Sequence, residues 1–434
     1  MTEVAASPGM SSSVRWRLRA MMFIQYAIHA VWILQVGAYL GGHGFSNTWI
    51  GWIGNTAALG CLVAPIFVGM VADRFFASER VMVALNLIGA GLLFWASTIT
   101  DPWMLFAVLL LQQICYMPTW AIANSIAIAN SADTEKDLPS IRVFGSIGWV
   151  ATSLFGIVCA KNLADFGLPD VKMLDIPWDG TARPMIAGAA MSVLAALLAF
   201  TLPHTPPPAA GKKSSVSDLL GLKALSLMKN PSFAVFLLVS MLGMIPFAAY
   251  WTFCSPYLKS IGVELITPVM NIGPFCEIFL MWLFLPFALK KFGVKWTLVV
   301  GTAGLVVRYL LFWQGNGESL MFMNYLGIAV HGIIFPLFFV TGYIYADQVA
   351  PKELRSQAQG LITIATFGAG MLLGNWINGD LLLDGGVSYS NVWAIQAAIS
   401  AGLMLVMIVF FHVRPPKPAD DAGADAAAGA ADAE

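Results

Sequence analysis

The sequence contains little charge. Only 11% of its 434 residues are charged, against about 25% in soluble domains. The 23 basic and 24 acidic residues leave a net charge of −1, so no global field attracts nucleic acid. These values exclude a soluble globular enzyme, a disordered scaffold and a nucleic-acid binder.

Signatures of metal, cofactor and ATP chemistry are also missing from the sequence. Its five cysteines lie in apolar runs without metal-ligand spacing, and we interpret them as packing residues of a reduced protein. No Gly-x-x-x-x-Gly-Lys-Ser/Thr loop is present, which argues against an ATP-driven pump. The loops offer no nucleophile–base pair, so we expect neither an enzyme nor a bound cofactor or metal. The first apolar run lacks a cleavage motif and is predicted to be a retained helix.

Apolar residues are abundant instead. They make up 58% of the chain, about 252 residues, and one membrane-spanning helix needs roughly 20. The alternating ten-residue strands of a membrane barrel are not seen. Twelve apolar segments are each long enough to cross a bilayer as a helix: 18–41, 48–71, 81–99, 102–129, 140–161, 183–203, 231–258, 265–289, 295–313, 319–346, 357–382 and 390–412.

A polar, proline-rich linker at 204–230 divides these segments into six and six. Within it, 217–229 has the pattern of an amphipathic surface helix. The sequence therefore predicts an all-α membrane protein with twelve transmembrane helices in two six-helix bundles. The predicted parts are an N-terminal tail at 1–17, bundles at 18–203 and 231–412, the linker between them, and a disordered tail at 413–434.

Basic residues predict the orientation of the chain. With a cytoplasmic N-terminus, seventeen Lys and Arg residues fall in cytoplasmic segments and four in external ones. We therefore expect a multi-pass protein of the plasma membrane, the inner membrane of a bacterium, with both termini cytoplasmic. We also expect it to act as a monomer in the lipid bilayer.

Six plus six helices around a cytoplasmic linker resemble the major facilitator superfamily. The loop after the second segment is similar to the superfamily's Gly-x-x-x-Asp-Arg signature, with Gly69, Asp73 and Arg74 in register. Asp73 and Arg74 are predicted to form a gate that closes in one conformation and breaks in the other. Asp347 and Arg355 are predicted to form its counterpart in the second half. An ordinary charged loop is the alternative interpretation.

Further motifs resemble the nucleoside:proton symporter family. The resemblance is most specific in helices 4 and 5 and covers nearly the whole chain in spacing. It rests on Tyr116-Met117-Pro118-Thr119, on Pro139-Ser140-Ile141-Arg142-Val143-Phe144-Gly145-Ser146-Ile147-Gly148, on Gln25, on Leu202-Pro203-His204 and on Arg355-Ser356-Gln357-Ala358-Gln359-Gly360.

Ionisable residues inside spanning helices are rare and costly, so each is a candidate for function. Arg142 offers a permanently charged fork of donors, and the resemblance implies that it contacts the substrate. Ser146 and Trp149 lie four and seven residues further on, on the same helix face. Snorkelling of Arg142 to the cytoplasmic surface is the alternative.

Glu277 is the only acid deep within an apolar helix, and the resemblance aligns it with the family's helix-8 glutamate. We expect it to couple protons and to accept hydrogen bonds from substrate hydroxyls, unless it forms a structural salt bridge with Arg308. His331 is a second candidate proton carrier, and Phe335 one turn later is a candidate stacking ring. A neutral packing histidine is equally consistent with the sequence.

Two further residues complete the predicted substrate site. Gln25 lies within a polar-aromatic stripe of helix 1, and Trp251 is a candidate stacking ring in helix 7. Aromatic stripes more often form a core. The chain also departs from the family pattern: Pro336 replaces an aspartate, His331 a tyrosine and Pro274 a glutamine, and the family's helix-7 amides fall on Ala248-Ala249-Tyr250-Trp251.

We therefore predict a secondary transporter that moves a small polar solute by alternating access, with a nucleoside favoured and proton symport expected. Two alternatives stay open. One is a sugar or glycoside permease of the same fold, and the other is a membrane sensor that binds a solute without moving it.

Overall fold

A computed structural model describes residues 10–67, 75–131, 133–160, 173–207, 222–315 and 320–413. These residues form twelve long helices, and no strand occurs among them. The helices are α1 (Ser12–Gly42), α2 (Asn47–Phe67), α3 (Ser78–Ala96), α4 (Pro102–Ala129), α5 (Thr134–Ala151 continued by Ser153–Cys159), α6 (Arg183–Ala199), α7 (Pro231–Ser260), α8 and α9 (272–292 and 294–314, within Ile272–Gln314), α10 (Phe322–Val349), α11 (Arg355–Leu383) and α12 (Tyr389–Phe410).

The predicted fold class is confirmed. Within the described ranges, nine helical stretches are long and apolar enough to cross a membrane, and Ile266–Gln314 contains two of the twelve helices. Helices α1–α6 form one bundle and α7–α12 the other, called here the N-terminal and C-terminal bundles. The predicted surface helix of the linker appears as a 3₁₀ helix at Leu222–Lys229, while 208–221 lie outside the described residues.

Local sequence signals begin several of these helices. Asp101 accepts a hydrogen bond from the Met104 amide at 2.8 Å, and proline follows at the first helical position of α4. Asn230 repeats this arrangement at α7, where its side chain accepts from Ser232. A capping oxygen satisfies an amide that the helix leaves unpaired, and proline has no amide to lose there.

Glycine makes two features of the fold possible. Gly293 joins α8 to α9 without a loop because it adopts φ 68°, a left-handed conformation that costs glycine little. Gly148 of α5 faces the Phe23 carbonyl of α1 so closely that a Cβ would overlap it. The close contact of α1 with α5 therefore depends on the absence of a side chain at 148.

The two ends of the molecule differ. We call the end at which Met10 and Val413 lie the terminal end, and the opposite one the distal end. At the terminal end, Arg15 pairs with Asp137 at 3.3 Å, which fixes the start of α1 to α5. The predicted pair Arg355–Asp347 is also found there, with 3.5 Å between nitrogen and oxygen. Asp73 and Arg74 lie outside the described residues.

Candidate functional site

Aromatic side chains connect the two bundles midway along the helices. Trp149 of α5 lies 5.9 Å from Trp251 of α7, centroid to centroid. Trp251 stacks on Phe247 at 6.0 Å, and Phe247 lies 6.1 Å from His331 of α10. Phe335 follows His331 at 5.9 Å. The structure thus brings Trp149, Trp251, His331 and Phe335 into one row of rings, which we call the aromatic row.

Glu277 borders this row. Its Oε2 atom lies 3.6 Å from Nε2 of His331, and the two side chains are 20% and 3% exposed. The carboxylate is therefore the more accessible member of the pair. An ionised Glu277 beside a neutral His331 gives the pair a charge of −1. One added proton brings the charge of the pair to zero. Such a pair can take up and release a proton, and it can hold hydroxyl groups by accepting or donating hydrogen bonds.

Arg142 and Ser146 stand on the same face of α5 as Trp149, two turns and one turn, respectively, towards the terminal end. Both are exposed, while Trp149 is half-buried against the C-terminal bundle. This face of α5 therefore points to the boundary between the bundles. A charged fork and a hydroxyl there can donate hydrogen bonds to a solute that lies against the rings.

Gln25 does not join this group. It is fully buried, and its amide contacts Thr119 at 2.5 Å and Asn86 at 3.4 Å within the N-terminal bundle. The Tyr116 hydroxyl donates to the Gln25 carbonyl as well. In this conformation the Gln25 side chain therefore contributes to the packing of α1 against α3 and α4.

The partner of Glu277 is His331, and the alternative salt bridge with Arg308 is not formed. Arg308 of α9 is fully buried, donates to the Gly327 carbonyl at 3.2 Å, and has its guanidinium carbon 3.9 Å from the centroid of the Tyr250 ring. Tyr250 was expected from the sequence as a stacking ring of helix 7, whereas Phe247 was not assigned a contact. Phe247 precedes Trp251 by four residues, a spacing that could have indicated it.

The distal end is closed by two reciprocal hydrogen-bonded caps. Asp179, from the loop between α5 and α6, accepts from the Thr267 amide at 3.0 Å and from its hydroxyl, where the short helix Ile266–Met270 leads into α8. Asp384, from the loop between α11 and α12, accepts from the amides of Asn47 at 3.0 Å and Thr48 at 2.7 Å at the start of α2. Each bundle thus caps a helix of the other.

The two caps differ in their electrostatics. Burial raises the pKa of the Asp179 carboxyl to about 6, against hydrogen bonds from Thr267 that lower it. Asp384 is less buried, and burial alone would raise the pKa of its carboxyl. Hydrogen bonds from Thr48 and Asn47 have the larger combined effect and lower that pKa below its ordinary value. These contacts join the two bundles to each other at the distal end.

Twelve helices in two six-helix bundles define a secondary transporter of the major facilitator type. The sequence profile described as "Nucleoside H+ symporter" matches residues 11–416. The chain belongs to the nucleoside:proton symporter family and is a membrane transporter, not an enzyme.

Individual relatives agree with this assignment. The chain is 36% identical to a putative nucleoside transporter, YegT, of Escherichia coli K12 over 408 residues, which cover 91% of this chain and 93% of the relative. It is 28% identical to the xanthosine permease of the same strain, covering 92% and 96%. The crystal structure of the nucleoside transporter NupG superimposes with a TM-score of 0.79 at 25% identity, covering 92% of this chain and all of that one.

Proposed function

We propose that this protein imports nucleosides together with protons by alternating access between the two bundles. The observation that carries the proposal is the Glu277–His331 pair beside the aromatic row. The rings offer flat surfaces for a nucleobase. The pair, Arg142 and Ser146 supply groups that recognise hydroxyls and carbonyls.

The proton is proposed to bind to this pair. A proton on Glu277 removes the net negative charge of the pair, so that the loaded site can be enclosed between the bundles at lower cost. Release on the other side restores the carboxylate. His331 is proposed to hold the proton or to donate to Glu277, because its Nε2 faces the carboxylate.

We further propose that the terminal end is cytoplasmic and that the membrane is the bacterial inner membrane. The excess of basic residues in the terminal-end segments supports this orientation. Asp73–Arg74 and Asp347–Arg355 are proposed to gate the terminal end, and the 3.5 Å pair of Arg355 with Asp347 supports the second of these. A monomer suffices, since one chain supplies the whole proposed site.

Uptake by proteoliposomes tests the proposal. We expect saturable uptake of labelled uridine that is accelerated by an inward proton gradient and competed by nucleosides but not by sugars. Competition by sugars alone would favour a sugar permease, a fold relative being the D-xylose–proton symporter with a TM-score of 0.67. Binding of uridine without any accumulation would favour a sensor.

Replacing the carboxylate tests the coupling. Glu277→Gln keeps the size of the side chain but cannot exchange a proton, so we expect gradient-driven accumulation of uridine to be abolished. Glu264→Gln, at an exposed acid of the distal end, is the matched control and should accumulate uridine normally. Equal acceleration by the gradient in wild type and Glu277→Gln would contradict proton coupling through Glu277.

A further inference from the structure

Arg308 is a buried cation for which the described residues provide no ion pair. It is fully buried in α9, and both terminal nitrogens of its guanidinium lack a hydrogen-bond partner. No carboxylate of the described residues lies within ion-pair distance of it. Burying an unpaired charge costs desolvation free energy. We therefore look for a functional role for Arg308.

A series of contacts connects Arg308 with the proposed proton site. Its guanidinium carbon lies 3.9 Å from the centroid of the Tyr250 ring. The same ring stacks on His331 at 5.5 Å and 26°. His331 then faces Glu277 at 3.6 Å. The fixed charge and the exchangeable proton are therefore separated by two rings within one bundle.

Packing holds this series in place. Gly273 of α8 brings that helix against Tyr250 and His331, since a Cβ at 273 would lie 2.9 Å from the His331 Cβ and 3.2 Å from the Tyr250 hydroxyl. Gly332 of α10 fits against the backbone at Cys276 and Glu277 in the same way. Two helix–helix contacts at glycine therefore fix the spacing of Tyr250, His331 and Glu277.

Among the residues that the structure describes, few other titratable groups surround the series. Helix α7 contributes Tyr250 and Cys254, α9 contributes Tyr309, and α8 contributes Glu277. Tyr309 donates its hydroxyl hydrogen to the Pro246 carbonyl. Within this described part of the C-terminal bundle, Arg308 is thus the permanent charge, and Glu277 is the acid whose charge changes when the proton leaves.

We propose that Arg308 is a positioning residue that supplies the counter-charge for the empty, deprotonated transporter. This inference rests on the proposed proton coupling through Glu277. When Glu277 is ionised in the empty transporter, the nearby cation of Arg308 offsets the charge of the carboxylate. The carrier can then return without a solute while the carboxylate is buried. The Tyr250 ring orients His331 against Glu277. It also lies between Arg308 and His331, so that the Arg308 guanidinium does not pair directly with the Glu277 carboxylate.

The pH dependence of uptake tests this role. Arg308→Gln keeps a donor for the Gly327 carbonyl but removes the charge. Without the charge, the proton should leave Glu277 only at higher pH. We expect the alkaline midpoint of proton-driven uridine uptake to move up by about one pH unit, as expected for a charge acting over on the order of 10 Å at an effective dielectric constant near 20. The maximal rate should fall.

Two further variants make the result decisive. Arg308→Lys keeps the charge and should keep the wild-type midpoint. Lys295→Met removes a cation from the terminal-end part of the same helix, about 20 Å away by helical rise, and should also leave the midpoint unchanged. An unshifted midpoint in Arg308→Gln, or an equal shift in Arg308→Lys, would overturn the counter-charge role. Gradient-independent uptake by the wild type would instead overturn the proton coupling itself.

Discussion

Gln25 is a polar residue that the structure places in the packing of the N-terminal bundle. Its amide lies between Thr119 of α4 and Asn86 of α3, and all three side chains are buried. A buried donor or acceptor that loses its partner costs about 1–3 kcal/mol. The sequence predicts a substrate-binding role for Gln25 and these contacts support a packing role, and a substitution can separate the two.

We expect Gln25→Leu to lower the thermal stability of the purified transporter, with a loss of about 1–3 kcal/mol because Thr119 and Asn86 lose a partner. The KM for uridine in the surviving protein should change less than twofold. Unfolding in detergent and uptake kinetics measure the two effects. A raised KM with unchanged stability would show that Gln25 contacts the solute.

The sequence could locate Glu277 and His331 but not join them. An acid in an apolar helix stands out locally, whereas its partner is 54 residues further along the chain. For the same reason Arg308 remained a possible salt-bridge partner until the structure placed the Tyr250 ring against it. Contacts between distant segments depend on helix rotation and tilt, which hydropathy does not determine.

At the scale of helices, α1 and α5 pack closely at a glycine. A Cβ at Gly148 would overlap the Phe23 carbonyl, which is backbone and cannot move aside cheaply. The Trp149 side chain follows immediately, so the contact also determines where the α5 face meets the other bundle. The twelve apolar segments predicted the helices themselves, since about 20 apolar residues are a local property.

We expect Gly148→Ala to destabilise the protein by about 1–3 kcal/mol through overpacking and to reduce uridine uptake at least several-fold. Gly91→Ala in α3 is the control, because a Cβ there meets no atom within 4 Å. The control should be as stable as the wild type or slightly more so. Thermal unfolding of both variants is the measurement, and equal stability would refute the close contact.

At the scale of the whole molecule, the two bundles are joined at the distal end by two carboxylates. Each carboxylate belongs to one bundle and caps a helix of the other. Asp179 accepts from Thr267, and Asp384 accepts from Asn47 and Thr48. Neither cap was predicted, because these loop residues carry no sequence motif. The contacts exist only while the bundles meet at this end, so they bias the alternation between conformations.

The Asp179 cap predicts a pH dependence of this bias. Burial in the closed distal end raises the pKa of Asp179 from its ordinary value of 3.8 to about 6. Opening of this end would return the carboxyl to water and to its ordinary pKa, so we expect the closed distal end to bind the proton more tightly than the open one. Closure is therefore favoured as pH falls through 6, and linkage predicts a roughly fourfold gain in the closed-to-open ratio between pH 7.5 and 5.5. Lys259 and Glu264 border the same loop and are to be kept unchanged.

Spin labels at Asp101 and at Ser260, on the distal ends of the two bundles, measure that ratio by their distance distribution in a cysteine-free background. Asp179→Asn mimics the neutral acid and should abolish the dependence on pH while retaining the closed population. An unaltered pH response in Asp179→Asn would assign the effect to another group.

The reciprocal caps also affect how tightly the transporter can bind a solute from outside. If the distal end is outside, the empty protein must first break both caps before the site becomes accessible. The measured affinity from that side is the intrinsic affinity reduced by the fraction of molecules that are open. Weakening either cap should therefore tighten apparent binding from outside without altering a single residue that contacts the solute.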